Sequence, residues 1–314
     1  MIQTDYHSPR VRLGYACINL TLGPKCRTSH TCRITNVTRD RLEALARQNL
    51  LGLSEILHWN VANDIRLFRI SSGIIPLASH PKAQWEWQDT LREEISRIGS
   101  YAKKHNLRLS MHPGQYTVLN SPHRKIVVAA QAELSYHACF LDALGLTLEH
   151  KIVLHVGGVY GDREGSLQRF REGFDALPSE VRNRLVLEND ERNYNANEVL
   201  TFCESLRIPM VFDWLHHRAY GVRVSQDRLL DRVYSTWSTS DGRPKLHYST
   251  QRQAARTGAH ANMINAGEFN RFLRTLPRQD VDVMLEAKSK DKALLELRRT
   301  LLTQRSTQPL FLVS

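Results

Sequence analysis

Three short apolar runs, each ending in a residue that can bind a metal ion, limit the possible folds of this chain more than any other feature. They are Lys151-Ile-Val-Leu-His155, Leu185-Val-Leu-Glu188 and Met210-Val-Phe-Asp213. Runs this short between polar turns read as buried parallel strands, and in each the ligand type falls at the C-terminal end. Glu188, followed by Asn189 and Asp190, is in the middle run. It is the natural candidate for a shared, central ligand of a metal cluster on the open face of a barrel.

The rest of the chain repeats the alternation. Arg12–Ile18 reads as a first strand ending near Asn19, before an irregular loop with Gly23 and Pro24. Thr38 caps a long helix with leucines at 42, 45, 50, 53 and 57. Further strands are expected at 67–70, 108–112, 151–156, 185–189, 210–214, 245–249 and 281–286. Helices are expected near 86–104, 122–144, 164–177, 196–205, 225–235, 267–275 and 289–303, with Gly145 ending the second of these and a frayed tail from Thr303. Eight strand–helix units in one chain argue for an α/β fold of the TIM (β/α)8 barrel type over an open doubly wound sheet. No GxGxxG follows the first strand, so no nucleotide cofactor is expected. With no linker, repeat or low-complexity segment, residues 1–314 read as one domain, the barrel covering about 12–303 between a short lead-in and a tail.

Charge points to the partner. The chain has 43 Lys and Arg against 32 Asp and Glu, a formal net charge of +11. Acids bound to metal would leave the surface more basic still, and a basic surface suits an anionic polymer, nucleic acid first. The five cysteines are odd in number and scattered, so free thiols are expected, with Cys26 and Cys32 at most a weak pair. No signal-peptide layout or membrane-spanning apolar stretch is present, so the expected location is the cytoplasm, with the nucleoid, in a prokaryote, or the nucleus in a eukaryote.

In a barrel of this kind the strand C-termini converge on one face, where sites are built. The residues at those ends are His112, His155, Glu188, Asp213, His247 and Glu286, from the third strand to the eighth without a gap. His216 and His217 follow Asp213, and His260 lies in the loop after the seventh strand. Mixed imidazole and carboxylate without cysteine suits Zn²⁺, Mn²⁺ or Fe²⁺ and disfavours Ca²⁺. The set is too large for one ion and fits two or three, the arrangement used to cleave phosphate esters.

These residues carry a resemblance. His112-Pro-Gly-Gln-Tyr116, Leu154-His155-Val-Gly-Gly158, Leu187-Glu-Asn-Asp190, Phe212-Asp-Trp-Leu-His-His217, Pro244-Lys-Leu-His-Tyr-Ser249 and Gly258-Ala-His-Ala261, with Leu13-Gly-Tyr-Ala16 and Asn19, run in order over roughly 12–290. They resemble the UV damage endonucleases, a family similar in fold to endonuclease IV, a barrel with a three-metal site that nicks DNA. The resemblance implies that His112, His155 and Glu188 hold a first ion. Glu188, Asp213, His247 and Glu286 would hold a second, and His216 and His260 a third, exposed one. Catalytic roles fall to Glu188, Glu286 and Lys245. In the family this lysine is carboxylated; its alternative is an unmodified cation facing the substrate phosphate. The resemblance further implies two or three Mn²⁺ ions (Zn²⁺ or Mg²⁺ being alternatives), a Gln115–Tyr116 pair inserted into DNA, and Tyr15 and Asn19 at the lesion. Arg252 and Arg256, with Arg218 and Arg223, are candidate phosphate contacts, which position without reading sequence.

The expected function is therefore an ATP-independent endonuclease acting on UV-damaged double-stranded DNA as a monomer. It would nick immediately 5′ of cyclobutane dimers or 6-4 photoproducts, with abasic sites as further substrates, and leave 3′-hydroxyl and 5′-phosphate ends. Two alternatives share the pattern: a barrel sugar isomerase, against which the positive charge and the Gln115–Tyr116 loop argue, and a non-catalytic metal-stabilised DNA-binding protein, against which the complete ligand set argues.

Overall fold

The computed structural model describes residues 11–221, 226–278 and 280–307. Eight parallel strands lie in one sheet: β1 Val11–Ala16, β2 Leu67–Arg69, β3 Arg108–Ser110, β4 Ile152–His155, β5 Leu185–Glu188, β6 Met210–Asp213, β7 Lys245–Tyr248 and β8 Val281–Leu285. The order β3-β2-β1-β8-β7-β6-β5-β4 wraps the sheet round until its two ends meet. They close through Met111, which bridges Ile152, receives the Val153 N–H on its carbonyl at 2.9 Å and donates to Lys151 O at 3.0 Å. This is the TIM barrel expected from the alternation.

Helices α1 Arg39–Ala62, α2 Trp87–Thr90, α3 Arg92–Lys104, α4 Arg124–Ala143, α5 Arg163–Asp175, α6 Ser179–Arg182, α7 Ala196–Leu206, α8 Trp214–Tyr220, α9 Gln226–Ser235, α10 Ala266–Arg274 and α11 Lys290–Thr307 alternate with the strands. The Thr38 side chain caps α1 by accepting from Arg41 N at 3.2 Å. The outward-facing strand residues pack with the helices into the main core, which contains Tyr15, Phe68, Leu109, Leu154 and Leu187. Inside the barrel Val153, Val186 and Val211 meet Trp237, while Ala16, Leu67 and Met284 form a second small cluster. Gly14 makes room there: a Cβ on it would lie 2.4 Å from the Leu67 carbonyl oxygen.

The structure departs from the sequence-based expectations at element ends. β1 stops at Ala16, not Ile18, because Cys17 turns to φ 68°. The helix expected over 86–104 is divided at Leu91, and the last helix runs on through Thr307. β6 ends at Asp213, and α8 follows it directly, where the sequence suggested a strand to 214 and then a helix only near 225. The five cysteines are all free. Among the described residues, no helix is long and apolar enough to cross a membrane.

Candidate metal centre

Glu188 is buried at the end of β5, and its two oxygens face different partners. Oε2 lies 2.9 Å from His112 Nε2 and 3.5 Å from His155 Nε2. Oε1 lies 2.7 Å from His247 Nδ1. Burial pushes the Glu188 pKa up, but His247, His155 and His112 outweigh it and hold the carboxylate well below its usual range. His112 goes the opposite way: burial drives its pKa down to about 4, so it is neutral near pH 7.

His112 Nδ1 lies 3.1 Å from Pro113 O and Nε2 lies 2.9 Å from Glu188 Oε2. That separation also suits two ligand atoms each about 2.0–2.2 Å from a shared cation. Further acceptors stand ready nearby. Asp213 Oδ2 and His155 Nδ1 are buried with no hydrogen-bond partner. Asp213 spends its other oxygen capping α8, accepting from His216 N at 2.6 Å, so only Oδ2 is available to the centre. The ligand atoms of His112, His155 and Glu188 lie within 4.8 Å of one another, as do those of Glu188, Asp213 and His216, and those of Glu188, His247 and Glu286. Glu188 belongs to all three groups, and these residues fit a cluster of divalent ions.

Asn189 fixes the spacing. Its side chain bonds both polar groups of Asp213, donating to the carbonyl at 3.1 Å and accepting from the N–H at 2.9 Å. Its own carbonyl accepts from His216 Nδ1 at 3.0 Å. One asparagine therefore ties the ends of β5 and β6 and the first turn of α8 together. Burial works against charging His216, but Asp213, Glu188 and Glu286 outweigh it and raise its pKa to about 9. His260 approaches from the loop after β7, its Nδ1 3.7 Å from Glu286 Oε2.

Arg69 escaped the sequence reading. It ends β2 in the position where the later strands carry ligands, and its Nη1 lies 2.6 Å from Glu286 Oε1. Burial favours a neutral Glu286, yet Arg69 and His247 reverse this and hold it ionised. A cation in that strand-end register was the available signal.

The centre opens into a groove of about 1260 Å³. Gln115 and Tyr116 line it, and Tyr116 is 84% exposed at a loop tip. Arg252 and Arg256 line the opposite loop. Arg218 lines a separate cleft beside Trp214, and Arg223 lies outside the described residues. His217 is buried against Phe212, away from the ligand groups.

Three expected site residues, Tyr15, Asn19 and Lys245, do not line the groove. Tyr15 and Asn19 do not face the groove. Tyr15 points outward between strand and helix, packs on Phe68 and Trp59, donates to Asn60 Oδ1 at 2.7 Å and accepts from Asn19 at 2.8 Å. Alternation along β1 decides this, since Gly14 and Ala16 take the barrel face. Lys245 lies deeper in the barrel. It is fully buried, paired in register with Asp282, and two residues below His247 on the same face of β7. Burial, and then Arg108, drive its pKa far below the usual lysine range, and its Nζ has no hydrogen-bond partner.

Known proteins share this sequence pattern and this fold. The UV-endonuclease UvdE family profile matches residues 11–311. A UV DNA damage endonuclease from Clostridium perfringens (strain 13 / Type A) is 37% identical over 300 residues, covering 93% of this chain and 72% of its own. The crystal structure of SacUVDE superposes with a TM-score of 0.87 at 39% identity, covering 94% of this chain and 99% of that one. Endonuclease IV from Thermus thermophilus shares the fold, with a TM-score of 0.56 at 18% identity over 93% of this chain and 99% of its own.

Proposed function

The chain belongs to the UV-endonuclease UvdE family of DNA-repair endonucleases, and from that premise we propose that it nicks a damaged duplex immediately 5′ of UV photoproducts at the Glu188-centred cluster. The products are a 3′-hydroxyl and a 5′-phosphate. Cyclobutane dimers and 6-4 photoproducts are the main substrates, and abasic sites are further ones. The single observation that carries the reading is the division of labour at Glu188, whose two oxygens serve separate imidazoles across the barrel mouth.

Divalent ions held there, Mn²⁺ by preference, would supply Lewis-acid charge to the phosphodiester. His112 and His155 would hold one side of Glu188, His247 and Glu286 the other, with Asp213 on the flank towards α8 and His216 beyond it. Arg69 balances the charge of Glu286 and keeps its carboxylate aimed into the centre. Burial favours the uncharged amine of Lys245, and a neutral amine is the form that adds carbon dioxide. Carboxylation would place a second acid beneath His247.

Damage recognition falls to Gln115 and Tyr116. A photoproduct weakens stacking, so opening the helix there costs less than in intact duplex. Exposed Tyr116 offers a ring for the unstacked bases, and the Gln115 amide offers replacement hydrogen bonds. Arg252 and Arg256 hold the backbone along the groove, and one chain supplies every residue needed, so the enzyme works as a monomer. A sugar isomerase has no use for this basic groove.

The test uses a duplex with a single cyclobutane dimer. We expect a nick on the 5′ side with Mn²⁺ and none with EDTA. Tyr116→Ala should weaken damaged-duplex binding by about 1–3 kcal/mol, the worth of one stacked base, with an unchanged cleavage rate at saturation. Binding without a nick in the wild type would leave a DNA-binding protein in place of a nuclease.

A further inference from the structure

Resting on the metal-centre reading above, we propose that Glu191 is a ligand of the outermost ion, completing a His216–His260–Glu191 set. His216 alone offers two possible sides. Its Nδ1 lies 3.7 Å from Asp213 Oδ1 and 3.8 Å from Glu188 Oε1. That nitrogen is committed, because it donates to the Asn189 carbonyl at 3.0 Å. A histidine whose Nδ1–H is held by a backbone carbonyl presents Nε2 to a metal. The carboxylate on the Nε2 side is Glu191, with Oε2 at 3.9 Å. Two donors about 2.0–2.2 Å from one ion can lie up to about 4 Å apart.

His260 lines the same groove as His216 and Glu191. Its ring centre is 6.1 Å from that of His216. An imidazole ligand places its ring centre about 3 Å from the ion, so the two rings can share one between them. Two neutral imidazoles alone would leave a dication among Arg192, Arg252 and Arg256, which line the same groove. Three protein ligands with one anion is the ordinary composition of an open site.

The local fold selects Glu191 over its neighbour. The Asp190 carboxylate is occupied by the backbone N–H groups of Arg192 at 2.7 Å, Asn193 at 2.5 Å and Tyr194 at 3.3 Å. That turn projects the next side chain into the groove. The Glu191 carboxylate otherwise meets Arg192 at 3.7 Å, and that guanidinium is 64% exposed, a contact of little energy. The loop bearing His260 closes directly over Glu191: a Cβ on Gly258 would lie 2.9 Å from Glu191 Cγ, and Gly258 sits at φ +82°. Glycine there lets the backbone take a left-handed turn close over the acid, two residues before His260.

The experiment counts metal. Full-length wild type, Glu191→Gln, His260→Ala and the double variant are loaded with Mn²⁺, gel-filtered and analysed by mass spectrometry for manganese per chain. Glu191→Gln should lose one ion per chain, or bind its weakest ion at least tenfold more weakly. The double variant should lose no more than His260→Ala, and the metal-free melting curves should coincide. If Glu191→Gln keeps the wild-type count and affinity while His260→Ala loses an ion, Glu191 is not a ligand and the proposal alone is overturned. A wild type that takes up no ion overturns the metal-centre reading and the proposal together.

Discussion

At Glu188 a charge is buried where burial by itself would neutralise it, and three imidazoles on other strands keep it ionised. Such a residue costs folding energy and is retained for what it holds. Glu188→Gln keeps the shape and removes the charge. We expect metal affinity to fall by more than the roughly 10–100-fold that loss of an outer partner costs. Cutting should be abolished with an unchanged circular dichroism spectrum. A variant that still loads its full complement of Mn²⁺ would show that Glu188 is not the shared ligand. Residue identity alone was a good guide here, since the strand-end acids and histidines do converge. It says less about Tyr15, whose side chain emerges on the outer face of β1.

At the scale of elements, the centre depends on how strand ends are clipped together. The β5–β6 ladder registers Glu188 with Val211, and the Asn189 amide then takes over where the strands part. α8 begins at once after β6, so Asp213 is both a helix cap and a candidate ligand. That double use was hidden in the sequence, because Asp213 closes an apolar run that reads as strand and the cap becomes visible only with His216 N above it. Helix packing outside the barrel is equally tight. A Cβ on Gly99 of α3 would fall within 2 Å of the Leu144 carbonyl, at the end of α4. Backbone cannot swing aside as a side chain can, so Gly99→Ala should destabilise by about 1–3 kcal/mol or more. The urea midpoint should drop at constant slope, and a variant as stable as wild type would mean that α3 and α4 slide freely.

At the scale of the whole molecule the barrel has a charged end opposite its metal end. Asp282 of β8 accepts from Arg12 of β1 at 2.6 and 2.8 Å and from Arg108 of β3 at 2.8 Å. Arg108 also reaches Asp241 O and Arg243 O, both at 2.6 Å, so one buried cluster crosses the barrel floor. Burial raises the Asp282 pKa, but Arg108 and Arg12 outweigh it and depress it. A depressed carboxylate contributes stability that is fully present above its unfolded pKa of about 3.9 and is lost as pH falls through its folded value. Asp282→Asn strands two guanidinium groups and should cost about 3–5 kcal/mol at pH 7. The loss should shrink in acid, read from denaturation midpoints across pH. An equal loss at pH 7 and pH 3 would assign the cost to packing instead.

The amino-acid sequence by itself determined the barrel, the identity of the ligand types and the end on which they gather, because a parallel strand buried on both faces must be a short apolar run and its last residue must emerge at the mouth. It also carried the family, since the motifs run in order along nearly the whole chain. Only the tertiary structure decided which oxygen meets which nitrogen. Arg69 beside Glu286, Asn189 bridging to Asp213, Lys245 a layer below the mouth and Glu191 beside His216 all depend on contacts between segments far apart in the chain or on a turn that no periodicity encodes. A strand pattern fixes the face on which a side chain emerges, whereas the partner across the barrel is set by how eight strands close on one another.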